Sequence, residues 1–255
     1  IPQSYFRYLT MQLFKAGITA ILTTAILISC GGPEPVKLGP KQSWKKGDYL
    51  KDKQIVFTNQ YRFKDGRYAV GAGSFLVQGK NGPVLCTAKH LLSEAMGISP
   101  KVKTSEFDSK IDYWKVYAKN DELFVDTMMV SKMISTKIDV TDIMLMKCTS
   151  TKGKNLLALK PRFTRIGSDE ELEIIGYEYG DTTGVQSSFK VQYDEYDNGT
   201  LIVKSKSIFK AIGMSGSPVI DASGYVVGVL VGGGIFEDKL YLTVEPLSRV
   251  KKYLR

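Results

Sequence analysis

From about residue 48 onward the chain runs as short apolar stretches cut by turn signals. Ser74–Val77 (SFLV) and Val84–Ala88 (VLCTA) flank Gly79-Lys80-Asn81-Gly82, and an Asn-Gly link between two such runs marks a β-hairpin. Further strand-like runs are Trp114–Tyr117, Ile143–Met146, Leu172–Tyr177, Phe189–Tyr193, Leu201–Val203, Ser217–Ile220, Tyr225–Val231 and Leu240–Val244. Asp221-Ala222-Ser223-Gly224 reads as a second tight turn. Two stretches carry a helical pattern. One is short, His90–Ala95. The other is Pro246–Arg255, where Pro opens the segment and Leu247, Val250 and Leu254 recur at a spacing of three to four. Many short strands followed by one terminal helix predict an all-β sandwich or pair of barrels.

The first thirty residues follow another pattern. Residues 16–28 (AGITAILTTAILI) are almost wholly apolar, Arg7 and Lys15 precede them, and the first acid is Glu34. The run is short for a membrane span and fits the apolar core of a signal peptide over residues 1–29. Met11 reads as the start, which makes residues 1–10 an over-extended reading of the gene. Leu27-Ile28-Ser29-Cys30, followed by Gly31-Gly32-Pro33, resembles a bacterial lipobox. That resemblance implies lipidation of Cys30 and a membrane anchor on the periplasmic or extracellular side of the cell envelope. A plain secretory signal, releasing a secreted protein, is the alternative. Residues 30–47 are rich in Gly, Pro and Lys and read as the tether to a domain spanning 48–255.

Composition narrows the function. Hydrophobic residues make up 43% and charged residues 24%, which excludes bulk disorder. Three cysteines cannot build a disulfide framework. The net charge is +9, but Lys45-Lys46, Lys101–Lys103 and Lys251-Lys252 are scattered pairs, without the basic runs and interleaved aromatics of a nucleic-acid surface. A weakly basic solvated surface is expected, with no nucleic-acid partner. One histidine and dispersed cysteines cannot supply a zinc set, so neither metal nor cofactor is expected. All histidine chemistry must pass through His90.

Three local motifs stand in one order: Thr87-Ala88-Lys89-His90 at the end of an apolar strand, Asp142-Ile143-Met144-Leu145-Met146-Lys147 opening another, and Gly213-Met214-Ser215-Gly216-Ser217-Pro218 before a third. A serine hydroxyl is a poor nucleophile unless a neighbouring imidazole takes its proton, and the imidazole needs a carboxylate to fix its tautomer. Those residue types, in the order His–Asp–Ser, resemble the chymotrypsin-like (trypsin-fold) serine proteases over roughly residues 50–255. The resemblance implies two six-stranded antiparallel β-barrels with a C-terminal helix, and an endopeptidase acting on protein or peptide substrates through an acyl-enzyme. It implies Ser215 as nucleophile, His90 as general base and acid, Asp142 as orienter, and the N–H groups of Gly213 and Ser215 as oxyanion hole. Asp139 is the competing acid. A catalytically silent, peptide-binding member of the same fold and an esterase using the same triad are the rival functions.

Further details follow from the same resemblance. The substrate pocket is expected from Phe209–Ile212, with Phe209 and Ile212 foremost, and from Gly228–Gly234, including Val231, Gly232 and Gly233. Val231 stands where many relatives place a serine supporting the catalytic acid. Met214 replaces the acid that pairs with a newly cut N-terminus in the digestive enzymes, so no activation cleavage is expected. Glu173–Gly180 (EIIGYEYG) is similar to a segment of the bacterial high-temperature-requirement (Deg) proteases. Cys86 and Cys148 fall on strands of one barrel, either as two thiols or as a disulfide.

Overall fold

In the computed structural model the described residues are 38–119, 127–135, 140–149, 156–168 and 170–255. They build two closed six-stranded antiparallel barrels. The first uses β1 (Val56–Phe63), β2 (Tyr68–Gly79), β3 (Gly82–Ala88), β4 (Ile111–Tyr117), β5 (Met128–Met133) and β6 (Ile143–Cys148), in the order β1-β4-β5-β6-β3-β2 and closed by the β1–β2 pair. A two-residue strand, β7 (Ala158–Leu159), adds in parallel to β2. The second barrel uses β8 (Glu171–Gly176), β9 (Ser187–Asp197), β10 (Thr200–Ser205), β11 (Pro218–Asp221), β12 (Val226–Phe236) and β13 (Lys239–Pro246), ordered β10-β13-β12-β11-β8-β9. A 3₁₀ turn, Leu247–Val250, and a one-turn helix, Lys251–Leu254, end the segment expected to be helical.

Period-two alternation divides the side chains between two cores, as it must when successive residues point to opposite faces of a strand. On β2, Leu76 enters the first barrel while Phe75 and Val77 face outward. On β6, Met144 and Met146 point in while Ile143 and Leu145 point out. The outward set meets Ile175, Ile220, Val229, Leu247 and Leu254, forming a core between the barrels. The second barrel has its own filling of Leu172, Ile174, Val203, Val219 and Leu242.

This alternation also decides the cysteine question. Cys86 belongs to the core between the barrels, whereas Cys148 packs against the filling of the first barrel, and both are free thiols. Burial pushes the Cys86 thiol far up and the Cys148 thiol up to about 12, so both stay protonated at neutral pH.

The stretch read as a tether is docked over its described part. Gln42 N–H donates to the Ser223 carbonyl at 2.8 Å, and the Trp44 and Tyr49 rings meet edge to face at 5.3 Å. Lys45 is buried, with Nζ 2.8 Å from the Glu173 carboxylate and 3.1 Å from the Asp221 carbonyl. Gln186 finishes the attachment. Its Oε1 accepts from the N–H groups of Ile55 and Val56, and its Nε2 donates to the carbonyls of Leu50 and Lys53. Residues 1–37, with the signal segment and Cys30, lie outside the described residues.

Candidate active site

β3 ends in a 3₁₀ turn, Lys89–Leu92, anchored by the fully buried Leu91 and Leu92. The Tyr61 hydroxyl and the Ser93 side chain fix this turn through the carbonyls of Leu91 and His90. His90 is thereby presented at the barrel end, about one-fifth exposed. Asp142 opens β6, which pairs with β3 from Ala88↔Ile143 onward, so the strand register sets the acid beside the imidazole. The Asp142 Oδ2 lies 2.6 Å from His90 Nδ1, and its Oδ1 accepts the His90 backbone N–H at 2.7 Å. Lys89 N–H closes the unit on the Asp142 carbonyl at 3.0 Å. Asp139, the competing acid, is outside the described residues.

Ser215 comes from the second barrel, on the loop before β11. Its carbonyl accepts Gly73 N–H from the first barrel at 2.7 Å. Gly216 follows at φ +86°, and a Cβ there would sit 2.0 Å from the Gly73 carbonyl oxygen. Only glycine lets the two barrels approach this closely. Gly73 is itself held from below. Its carbonyl accepts from Thr87 Oγ1 at 2.6 Å and from Asn59 Nδ2 at 2.9 Å, and Asn59 Oδ1 accepts Trp114 Nε1–H at 3.0 Å.

The loop's N–H groups divide into used and unused. Met214, Gly216 and Ser217 donate to the carbonyls of Ala211, Leu230 and Met214. Among the described residues, Gly213 and Ser215 N–H have no partner, and both residues line the cleft. Gly213 holds φ +82°, and Met214 is fully buried in the second barrel. Ser217 Oγ is buried and has no hydrogen-bond partner among the described residues.

His90, Gly213 and Ser215 border one cleft of about 1190 Å³. Of the residues expected in the pocket, Phe209, Ile212, Gly232 and Gly233 line this cleft and Val231 does not. Val231 instead packs half-buried against the cores of the first barrel and of the barrel junction. The expected pocket list omitted Val70–Gly73 on β2, Tyr177–Thr182 after β8, and Ile208 and Ile235. Two glycines in Val70-Gly71-Ala72-Gly73 mark a close backbone approach, which was the available signal for the first of these. The loop after β8 begins inside Glu173–Gly180, a stretch noted for its family similarity but not assigned to the pocket. Among the described residues, no group of three or more His, Cys, Asp or Glu side chains could hold a metal ion.

Residues 71–229 match the model of the trypsin-like peptidase domain. No curated protein matches the sequence. Solved structures share the fold at low identity. A thermostable serine protease from an extremophilic microorganism aligns with TM-score 0.53 and 12% identity, over 80% of this chain and 96% of that one. An inactive form of a serine-to-alanine mutant of Rv3671c from M. tuberculosis aligns with TM-score 0.52 and 15% identity, over 86% and 94%. Mouse brain neuropsin, a serine protease, gives TM-score 0.53 and 14% identity, over 76% and 91%.

Proposed function

The chain belongs to the family of trypsin-like peptidase domains, and from that premise we propose that it is a serine endopeptidase with Ser215, His90 and Asp142 as its catalytic residues. The observation that carries the reading is the 2.6 Å contact between His90 Nδ1 and Asp142 at the edge of a cleft that Ser215 also lines. With Nδ1–H held by the carboxylate, Nε2 is the free base. It takes the Ser215 proton as Oγ attacks the substrate carbonyl carbon. The resulting oxyanion finds donors in the two unspent N–H groups, Gly213 and Ser215. His90 then passes the proton to the leaving amine, which departs and leaves an acyl-enzyme. Water, deprotonated by His90, hydrolyses the ester, and Ser215 recovers its proton.

The imidazole must be neutral to start, because only an unprotonated Nε2 can take the Ser215 proton. The exposed Ile212, Ile208 and Ile235 bordering the cleft support an apolar residue before the scissile bond. Dominant cleavage after Lys or Arg would remove that preference. Ile175-Gly176-Tyr177 supports placing the chain near the Deg proteases.

Ser215→Ala and His90→Ala should each lower kcat by on the order of 10⁴–10⁶, non-additively in the double variant. An organophosphonate probe should label wild type and miss Ser215→Ala. Peptide cleavage retained by Ser215→Ala overturns the assignment. We also propose attachment through a lipidated Cys30, on the strength of the Leu-Ile-Ser-Cys sequence. Wild type should partition into detergent and Cys30→Ser should not. Equal release of both as unlipidated chains rules the anchor out.

A further inference from the structure

The His90–Asp142 contacts fix the two side chains to each other, but both belong to the first barrel. Ser215 belongs to the second. Something must hold the Asp142 loop in register with the second barrel, and Val231, the residue expected behind Asp142, is apolar. Next to the aspartate, Thr141 is 4% exposed. Its hydroxyl donates to Glu245 Oε2, on β13, at 2.7 Å. Glu245 is 7% exposed, and its charge is met by Arg249, whose Nη1 lies 2.9 Å from Oε2 and 3.2 Å from Oε1. Thr200 Oγ1 adds a long contact to Oε1 at 3.4 Å. The same guanidinium donates to the Val140 carbonyl at 3.2 Å and, through Nη2, to the Asn198 carbonyl at 2.8 Å. Residues 140 and 141 are therefore gripped by side chain and backbone from one ion pair of the second barrel.

A buried carboxylate is costly unless it is fully paired, so an acid retained here has specific donors to meet. Among the described residues, every donor it meets lies on the Asp142 loop, on β10 or on the terminal 3₁₀ turn. We propose that Glu245 is a positioning residue for Asp142, acting through Thr141 and completed by Arg249. This rests on the reading of His90, Asp142 and Ser215 as one catalytic unit. The clamp fixes how the base faces the nucleophile across the barrel junction. It does not touch substrate.

The single histidine supplies a direct readout, because the downfield Nδ1–H proton resonance can belong to no other residue. Thr141→Val keeps shape and removes the donor to Glu245. It should keep the wild-type fold by circular dichroism and leave KM unchanged. Its kcat should fall between about tenfold and 10²-fold, the scale of a small misplacement of a catalytic group. Its Nδ1–H resonance should broaden or shift. Thr141→Ser should restore both values. Glu245→Gln keeps an acceptor for Thr141 but loses the charge facing Arg249, and should fall in between. Thr141→Val with wild-type kcat and an unchanged resonance overturns the clamp. Turnover retained by Ser215→Ala in the same assay overturns instead the catalytic reading, while the resonance still judges the clamp.

Discussion

The two barrels have equal strand counts and different interiors. The first is filled with rings: Phe57, Tyr61, Phe63, Phe107 and Trp114 are all buried in it. Tyr61 and Trp114 stack at 4.0 Å with an interplanar angle of 9°. The buried members of the second filling are aliphatic, apart from Met214, and its aromatic rings stand at the margin. Phe189 and Phe209 stack there at 4.1 Å, and Phe209 borders the cleft. Rigid rings lose little rotamer freedom and lock their neighbours. The first barrel thus makes a stiff mount for the His90–Asp142 pair and, through Asn59 and Gly73, for the floor under Ser215. The second keeps its rings at its margin, and one of them, Phe209, forms part of the cleft wall.

Ring removal tests the contrast most severely. Trp114→Ala should cost about 3–5 kcal/mol, against about 0.5–1.5 kcal/mol for Ile174→Val in the second barrel. At roughly 2–4 °C per kcal/mol in a domain of this size, melting curves separate them easily. Equal shifts would show that the ring filling has no special weight. Asn59→Ala should cost about 1–3 kcal/mol, because it leaves Trp114 Nε1–H buried and unpaired. It should also lower kcat by loosening Gly73, an effect Ile174→Val should lack.

The third test concerns pH and the docked residues 42–49, which strap the second barrel from outside. Burial raises the Glu173 carboxyl, but hydrogen bonds from Lys45, Tyr49 and Ser188 outweigh it and hold the group below the usual carboxylate range. A carboxylate depressed on folding stabilises fully above its unfolded value, about 4.3. That contribution disappears as pH falls through the lower folded value. Urea midpoints of wild type should therefore drop more steeply below about pH 4.3 than those of Glu173→Gln. Parallel profiles would show that the strap is held by packing alone. The smallest expected effect is chemical. With its thiol pushed up to about 12, Cys148 should react with iodoacetamide at pH 8 far more slowly in the native than in the urea-unfolded chain. Equal rates would mean that the wall of the first barrel opens freely.

The sequence showed what is local and left obscure what is distant. His90, Asp142 and Ser215 stand out as candidates because each sits in a short motif, and the alternation of β2, β3 and β6 reads directly as two-faced wall. The strand β1 (VFTNQYRF) was missed because Thr58, Asn59, Gln60 and Arg62 break its apolar pattern. Asn59 is nonetheless fully buried, since Trp114 and the carbonyls of Ala72 and Gly73 satisfy its amide. Lys45 reads as tether because a lysine in a stretch rich in Gly, Pro and Lys is expected in solvent. Its acid partner lies 128 residues away. The Tyr225–Val231 run was cut short at three glycines, yet β12 continues through Gly232–Gly234 to Phe236, carried by its ladder with β13. The Asn-Gly pair signalled the first hairpin, but its tip is Lys80-Asn81, with Gly79 paired to Gly82.

The strap and the terminal helix have a mechanical consequence when taken together. The chain is fastened to the second barrel at Gln42, Lys45 and Tyr49 before it enters β1. After leaving β13 it returns to the first barrel, where the Leu254 carbonyl accepts Lys80 N–H at 2.9 Å and its side chain joins the core between the barrels. Each barrel is thus tied down by a segment that lies, in sequence, beyond the other. The halves of the cleft cannot part by a simple hinge without first tearing one of these fastenings. A pulling force on the two segments would meet them before it reached any sheet. During synthesis, the first barrel can close early, but the cleft is locked only when residue 254 arrives.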